Sequence, residues 1–356
     1  MHRAPLTAHC LLITSFLFLL SCSQPPAPPA TTSLLLYNFE ASAFIEYTTD
    51  FQPGKTLPFS PPPNCGLTNT FPAPLGPILL IELDCPDGPT VLLLDTETAT
   101  VTQPFTAADA YFLAWTSDSK AAYLKADALG APRVIRIFPD GAYNTLALDG
   151  FTYDLAARPD SRDFTFTLSR GLGYGSELSL ARNDGRIIQP LYTDPANYIS
   201  FARWSPDGSQ IAFLKTPDSQ IPFTVGELWV MNSDGSNPRK LANADAGHGY
   251  AANWSPDGTR LAFVVRENPD DASADQASEA LVANLYLIEP ANGQLMQLTQ
   301  FTTGYAETPH WSPDGNLIAY TAVLDGRMSV IVQSAASAET RLFEAEAACC
   351  AAWMRK

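Results

Sequence analysis

Basic residues and histidines are scarce in this chain of 356 residues. Lysine and arginine together number 21, against 37 aspartates and glutamates, so the formal net charge at pH 7 is −16. An acidic surface repels phosphates, which argues against nucleic acid as a partner. The chain has 4 histidines and no Cys-x-x-Cys pair. A structural zinc site is therefore not expected, and no metal or other cofactor is predicted.

The sequence motifs of several enzyme classes are also missing. The chain contains no G-x-S-x-G elbow, no H-E-x-x-H pair, no P-loop and no dinucleotide fingerprint. These absences predict that the protein is not an enzyme and that it has no catalytic residues. Proline (30) and glycine (21) are plentiful, which predicts many turns and few long helices.

The N-terminus has the pattern of an export signal. One apolar stretch, Leu11 to Leu20, is too short to span a bilayer but suits the core of a signal peptide. The "LLSC" that ends at Cys22 resembles the lipobox of bacterial lipoproteins, which implies lipidation at Cys22. The alternative is an ordinary secretory peptide in which Cys22 is incidental.

The resemblance to lipoproteins divides the chain into three parts. We expect a signal peptide at 1–21, a lipidated cysteine with a Pro-rich tether at 22–32, and a folded domain at 33–356. The exported protein would be anchored to the extracytoplasmic face of a bacterial membrane, in the periplasm or at the cell surface. The sequence leaves open which membrane this is.

The pentapeptide "WSPDG" occurs three times, at Trp204–Gly208, Trp254–Gly258 and Trp311–Gly315. Each copy lies between two apolar stretches and reads as strand, tight turn, strand. Proline presets the backbone of the turn, aspartate bonds to it, and glycine adopts the left-handed conformation. Two or more further strand patterns follow each copy within about 45–55 residues, which is the period of a propeller blade.

Degenerate copies of the repeat extend the pattern through the rest of the domain. Trp115 keeps the tryptophan position, while Ala157 replaces it. The last stretch ends at Trp353 and has no following strand, whereas the segment 33–59 lacks a first strand. We predict an all-β protein, a single β-propeller of four-stranded antiparallel blades. Seven blades are favoured, with the C-terminal inner strand completing the N-terminal blade and closing the ring. Six blades, with 33–59 as an extra hairpin, is the alternative.

The repeat resembles that of the TolB-like β-propellers. "WSPDG" is followed two residues later by an apolar-Ala-aromatic triplet, as in Ile211-Ala212-Phe213. The resemblance covers nearly all of the folded domain and extends to the propeller domains of prolyl oligopeptidase-like peptidases. It implies a propeller fold. For function it implies a role in the cell envelope, where TolB works beside a peptidoglycan-associated lipoprotein. The peptidases' α/β-hydrolase domain has no counterpart here.

The repeated residues are predicted to maintain the blades, since a residue needed in every blade serves the fold. The tryptophans would fill the wedges between blades, and the aspartates would bond to the turn backbone. The structural positions are Trp115, Trp204, Asp207, Gly208, Trp254, Asp257, Gly258, Trp311, Asp314, Gly315 and Trp353.

Four cysteines remain after export. Cys65 and Cys85 are predicted to lie opposite each other on neighbouring strands and to form a disulfide. Cys349 and Cys350 are adjacent, and we expect them to stay buried thiols.

The candidate binding face comprises Tyr198, His248, Tyr250, Tyr305 and His310. Four of these lie in or beside loops that lead into inner strands, and an aromatic rim there could hold sugar rings or a peptide. The alternative is that the rings pack on the loops beneath them. The acidic insertion 267–282 reads as a solvated loop, or as an arm that recognises a basic partner.

These patterns lead to three hypotheses about function. The first is a non-catalytic, lipid-anchored propeller that binds a protein or another cell-envelope component through one face of the ring. The second is a glycan-binding propeller, or a metal-dependent glycan-cleaving one, that uses His310 or His248. The third is a structural surface protein. The sequence names no small-molecule ligand.

Overall fold

The computed structural model describes residues 32–104, 109–128, 131–148, 151–159, 161–245, 251–338 and 341–355. The predicted signal peptide, Cys22 and the tether before Thr32 lie outside the described residues, as do His248 and Tyr250. Thr31–Lys356 form one compact unit. Within the described part of the chain, no helix has the length and hydropathy that crossing a membrane requires.

The described residues form 28 strands and one short 3-10 helix, Ser278–Ala280. They build five separate four-stranded sheets and one eight-stranded sheet, in which two four-stranded sets join through a short parallel contact at Val282–Gly304 and Ala283–Tyr305. Within each set all the pairings are antiparallel, so the all-β prediction is confirmed. We call the sets blades 1 to 7.

The strands of each blade are given from the inner strand outwards. Blade 1 contains β28 (Ala348–Arg355), β1 (Thr32–Asn38), β2 (Ala43–Tyr47) and β3 (Pro53–Pro58). Blade 2 contains β4 (Gly66–Pro72), β5 (Ile78–Asp84), β6 (Thr90–Asp95) and β7 (Thr100–Thr102). Blade 3 contains β8 (Tyr111–Trp115), β9 (Ala122–Ala128), β10 (Ala131–Ile137) and β11 (Tyr143–Thr145). Blade 4 contains β12 (Thr152–Ala157), β13 (Phe164–Leu168), β14 (Ser176–Ala181) and β15 (Ile187–Asp194).

In the last three blades, each WSPDG repeat ends the inner strand with its tryptophan and forms the turn to the second strand. Blade 5 contains β16 (Asn197–Trp204), β17 (Gln210–Pro217), β18 (Val225–Asn232) and β19 (Arg239–Asp245). Blade 6 contains β20 (Asn253–Trp254), β21 (Leu261–Arg266), β22 (Val282–Ile288) and β23 (Leu295–Gln297). Blade 7 contains β24 (Gly304–Trp311), β25 (Leu317–Leu324), β26 (Arg327–Ser334) and β27 (Arg341–Glu346).

Blade 1 is assembled from both ends of the domain. The C-terminal strand β28 pairs with β1, and Trp353 lies opposite Leu34. The segment 33–59 is therefore part of this blade and not an extra hairpin. Blade 1 contacts blade 7, since the Trp353 indole donates to the His310 carbonyl at 3.1 Å. It also contacts blade 2, since the Thr70 hydroxyl donates to the Cys350 carbonyl at 2.9 Å.

The core is divided among the gaps between neighbouring blades. Seven clusters of buried apolar side chains each draw mainly on two adjacent blades. Successive side chains of a strand point to opposite faces, and a second strand is covered on both. This is why second strands such as Leu34–Tyr37 and Leu79–Ile81 are apolar without alternation and almost fully buried.

Each repeated turn contains a buried serine that bonds to the turn. In the copy at Trp254, the Ser255 hydroxyl donates to the Asp257 carboxylate at 2.6 Å and accepts from the Arg260 amide at 2.9 Å. The same carboxylate accepts from the Thr259 amide at 3.0 Å, and Gly258 has a φ of 71°. Serine and aspartate together therefore satisfy the turn backbone.

Replacing Asp257 by asparagine is expected to lower the free energy of unfolding by about 1 kcal/mol near neutral pH, the usual net contribution of such bonds. The hydrogen bond from Ser255 holds the pKa of Asp257 below its ordinary value. A carboxyl that binds its proton more weakly when folded stabilises the fold above its unfolded pKa. Its contribution disappears as the pH falls through the lower, folded pKa.

Urea unfolding at pH 7 and near pH 2 measures this effect. The difference between the native chain and Asp257→Asn should be largest at pH 7 and should shrink in acid. The control is Asp325→Asn, which changes an exposed carboxylate in the turn between β25 and β26. A pH-independent difference for Asp257→Asn would contradict the role given to the carboxylate.

Candidate functional site

The blades present two opposite faces, and the predicted binding residues are divided between them. The turn face carries the tight turns between first and second strands, such as Ser205–Gly208. The loop face carries the starts of the inner strands and the loops between second and third strands. Tyr305 begins β24 on the loop face, whereas His310 ends it on the turn face. Five residues of strand separate them by roughly 17 Å, so His310 does not belong to one site with Tyr198 and Tyr305.

A cavity of about 580 Å³ opens on the turn face between the ends of the inner strands. Its walls include Trp254, Trp311 and Trp353, together with Pro206, Pro256 and Pro313 of the repeated turns. The tryptophans and prolines that the sequence assigned to structure thus also shape a concave surface. Tyr198 and Tyr305 of the predicted binding face lie on the opposite face, and nothing in the repeat predicted this cavity.

His310 lies in the wall of the turn-face cavity. The residue is half-buried, and protein atoms surround its imidazole. This burial lowers the pKa of His310 to about 4. It is therefore neutral at physiological pH and can both donate and accept a hydrogen bond. Among the described residues, no group of histidines, cysteines, aspartates and glutamates is placed to hold a metal ion.

In four blades, the tryptophan of the inner strand links the blade to the preceding one. The indole of Trp254 donates to the Arg203 carbonyl at 3.0 Å, that of Trp311 to Asn253 at 2.9 Å, and that of Trp115 to Phe71 at 3.0 Å. Trp204 is the exception: its indole nitrogen is buried and finds no acceptor among the described residues. Blade 4, which precedes it, ends its inner strand with Ala157 in place of tryptophan.

The tyrosines of the loop face are half-buried. The Tyr198 ring meets the Tyr153 ring edge to face, with 6.5 Å between centroids. Burial raises the pKa of both Tyr198 and Tyr305 above the ordinary value. For Tyr198 the structure thus favours packing against the residues beneath over a free rim.

Four exposed apolar side chains of the loop face belong to blades 4 and 5, while Phe39, Tyr111 and Met328 are exposed on other blades of this face. We call Phe151, Leu172, Tyr174 and Ile221 the loop-face patch; Tyr174 is 69% exposed, and the others are 44–47% exposed. Asp218 of blade 5 accepts from the Gly173 and Gly175 amides of blade 4 at 2.8 and 2.9 Å. The Arg170 guanidinium lies over the Phe151 ring at 5.4 Å. These contacts hold the patch in place.

The acidic insertion 267–282 is exposed to solvent over much of its length, as expected of a solvated loop, but it is also anchored to the domain. It folds around Arg266, whose side chain is fully buried. The guanidinium pairs with the Asp275 carboxylate at 2.8 Å and donates to the carbonyls of Asn268, Asp271 and Phe223. Phe223 belongs to blade 5, so the insertion is tied to the neighbouring blade. The sequence signal was present: an arginine ends an otherwise apolar strand.

The structure pairs all four cysteines of the folded domain. Cys65 and Cys85 form a disulfide across the ends of β4 and β5, with Cα atoms 4.2 Å apart. Cys349 and Cys350 also form a disulfide. The expectation of two free thiols there is wrong, because the left-handed backbone at Cys350, with a φ of 62°, lets adjacent side chains meet.

No protein-family model matches the chain, and no curated protein matches it. Solved structures do. TolB from Acinetobacter baumannii is 16% identical over 88% of this chain and 79% of that chain, with a TM-score of 0.53. An oligogalacturonate lyase in complex with manganese is 15% identical over 85% of this chain and 81% of that chain, with a TM-score of 0.55. These likenesses support a TolB-like propeller fold.

The third similar structure is a prolyl endopeptidase, 10% identical, with a TM-score of 0.59. The match covers 91% of this chain and 50% of that chain. The expectation that this chain is not an enzyme is wrong. It rested on missing motifs, whereas propellers of this fold occur in a lyase and in an endopeptidase. The fold is compatible with catalysis as well as with binding, and function has to be argued from particular sites.

Proposed function

We propose that the protein is an exported, lipid-anchored propeller that binds a protein partner of the cell envelope through its loop face. The observation that carries this proposal is the loop-face patch, with Tyr174 69% exposed. Large exposed apolar side chains that cluster on one surface are typical of protein interaction sites. Aromatic residues such as Tyr174 and Phe151 contribute disproportionately to binding.

The patch suits a partner because its loops are already ordered. Asp218 fixes the loop that carries Leu172 and Tyr174 through two backbone amides. A surface that is rigid before binding loses little conformational entropy on association. The bonds to Asp218 hold the backbone of this loop in place, so the side chains of Leu172 and Tyr174 stay exposed.

Charge indicates what kind of partner would fit. The insertion beside the patch carries five carboxylates, namely Glu267, Asp270, Asp271, Asp275 and Glu279. Only Asp275 is paired with the buried Arg266. An acidic border attracts basic residues and accelerates their encounter. We expect the partner to present an apolar centre with lysines or arginines around it.

Lipidation at Cys22 remains part of the proposal. The propeller itself begins at Thr32, which pairs with Arg355 at the turn face. The polypeptide therefore enters the domain on the face opposite the patch. The chain's own entry point does not obstruct the loop face.

Crosslinking in intact envelopes, followed by mass spectrometry of the captured proteins, tests the proposal. The double variant Leu172→Ser/Tyr174→Ser should lower recovery of the partner about ten-fold, as expected for losing an exposed hot spot. Raising the salt concentration should also weaken the complex, because the acidic border is screened.

The matched control is Leu295→Ser/Tyr143→Ser, which removes similarly exposed apolar side chains from outer strands. Cys22→Ser should release the protein from the membrane fraction and leave partner binding in detergent unchanged. Equal recovery with the patch variant and the control would overturn the loop face as the binding site. Membrane retention of Cys22→Ser would overturn only the lipid anchor.

A further inference from the structure

Two blades lack the tryptophan that ends the inner strand in the others: blade 2, which has Pro72 at this position, and blade 4. In blade 4, Ala157 pairs with Phe164, just as Trp204 pairs with Ile211 and Trp311 with Ile318. Ala157 therefore occupies the tryptophan position. An indole there would reach back towards blade 3, as the other indoles reach back towards the blade before them.

The neighbouring blade does not compensate for the missing indole. In blade 6, Arg260 lies six residues after Trp254 and covers the Trp311 ring of the next blade at 4.9 Å. The corresponding residue in blade 3, six after Trp115, is Ala121. Both the ring and the side chain that would cover it are thus reduced to methyl groups between blades 3 and 4.

A cavity of about 570 Å³ occupies this place. Ala157 and Ala121 line it on the sides where the indole and its cover would lie, and Tyr123 and Phe138 add aromatic surface. A space of this size accommodates a small ligand. We call it the inter-blade slot.

The slot also has a polar side, and its charge is mainly positive. Lys120, Arg136 and Arg162 line it, against the carboxylates of Asp118 and Asp163. Asp118 is used by its own turn, where it accepts from the Thr116 hydroxyl at 2.8 Å and the Lys120 amide at 3.2 Å. Two exposed cations, Lys120 and Arg162, stand at the surface of the slot.

Arg136 is half-buried in the wall of the slot. Its terminal nitrogens donate to the Asn183 carbonyl and the Asn144 side chain at 3.4 and 3.1 Å. Its Nε is buried and finds no acceptor in the part of the chain that the structure describes. Because protein atoms enclose Nε, the guanidinium would act on a ligand in the slot as a nearby positive charge.

We propose that the inter-blade slot binds a small planar aromatic molecule that carries a carboxylate. The ring would take the space of the missing indole between the two alanines and the aromatic wall. The carboxylate would lie near the three cations Lys120, Arg136 and Arg162, since charge-assisted bonds to such groups are strong. This site is separate from the loop face and does not depend on the proposed partner.

Calorimetric titration of the purified full-length protein with three probes tests the slot. The probes are indole-3-acetate, indole and tryptamine, which share a ring and differ in charge. Indole-3-acetate should bind the native chain, and tryptamine should bind at least about ten-fold more weakly. Failure of indole-3-acetate to bind at millimolar concentration, or equal binding of tryptamine, would overturn the proposal.

Ala157→Trp distinguishes the slot from the tryptophan-lined cavity of the turn face. Its indole fills the slot, so affinity for indole-3-acetate should fall about ten-fold or more, while the thermal midpoint stays equal or rises. Should the larger side chain prevent folding, Ala157→Leu fills part of the same space and should weaken binding in the same direction. Lys120→Gln/Arg162→Gln should weaken indole-3-acetate but not indole. Unchanged binding in a folded Ala157 variant would place the probe elsewhere and refute the slot.

Discussion

Replacing Trp311 by alanine is expected to lower the free energy of unfolding by about 3–5 kcal/mol, the usual cost of truncating a buried tryptophan. The side chain is 8% exposed and packs in the gap between blades 6 and 7. Its indole donates to Asn253, and Arg260 covers the ring at 4.9 Å. Truncation would empty the wedge, remove the donor to the Asn253 carbonyl and uncover Arg260, which keeps its bond to the Ala335 carbonyl at 2.8 Å. Equilibrium unfolding in urea measures the loss.

A pair of gentler variants separates the hydrogen bond from the packing. Trp204 and Trp311 have the same position in their blades and are 7% and 8% exposed, but the Trp204 indole has no acceptor among the described residues. Trp311→Phe should therefore cost about 1 kcal/mol more than Trp204→Phe. Equal costs for the two variants would show that the indole bonds between blades do not contribute to stability.

Replacing Arg266 by alanine is expected to destabilise the protein by about 3–5 kcal/mol, as is usual when one partner of a buried ion pair is removed. The variant would leave Asp275 without its cation and would remove one donor from each of the carbonyls of Asn268, Asp271 and Phe223. The insertion 267–282 should lose its order first. Hydrogen exchange should therefore accelerate across residues 268–281 more than in β21.

The control for Arg266 is Arg186, whose pair with Asp184 lies at the surface with side chains 78% and 49% exposed. Arg186→Ala should change stability by less than about 0.5 kcal/mol, because exposed ion pairs contribute little. If Arg266→Ala behaves like Arg186→Ala, the insertion is not held by the guanidinium. Loss of order there should also weaken partner binding at the adjacent loop-face patch.

The degenerate copies of the repeat show how far sequence reasoning reaches. Trp115 and Ala157 were aligned with the tryptophans of complete copies by pattern alone, and strand pairing puts both in the same register as those tryptophans. The pattern did not show that Ala157 would line a cavity between blades 3 and 4. The slot depends on Ala121 of another blade and on Arg136 of a third strand, and these positions are distant from Ala157 in sequence.

Function was the weakest inference from the sequence, for a related reason. Missing motifs suggested a protein without catalysis, yet the propeller fold is shared with a lyase and an endopeptidase. A missing motif excludes only the chemistry that the motif carries, because a fold hosts different functions through the sites built on it. His310 is an example, since its position in the repeat did not reveal that it lines a cavity with three tryptophans.

The sequence by itself determined the fold class, the strand register, the repeated turns and the joining of the two chain ends in one blade. These follow from local rules: apolar runs make buried strands, and Ser, Asp and Gly at set spacing make the turn. Only the tertiary structure decided which side chains meet across blades. It placed Arg266 beneath the insertion, joined Cys349 to Cys350, separated His310 from Tyr305 and opened the slot at Ala157. Such contacts depend on the three-dimensional packing of distant segments, which local periodicity does not encode.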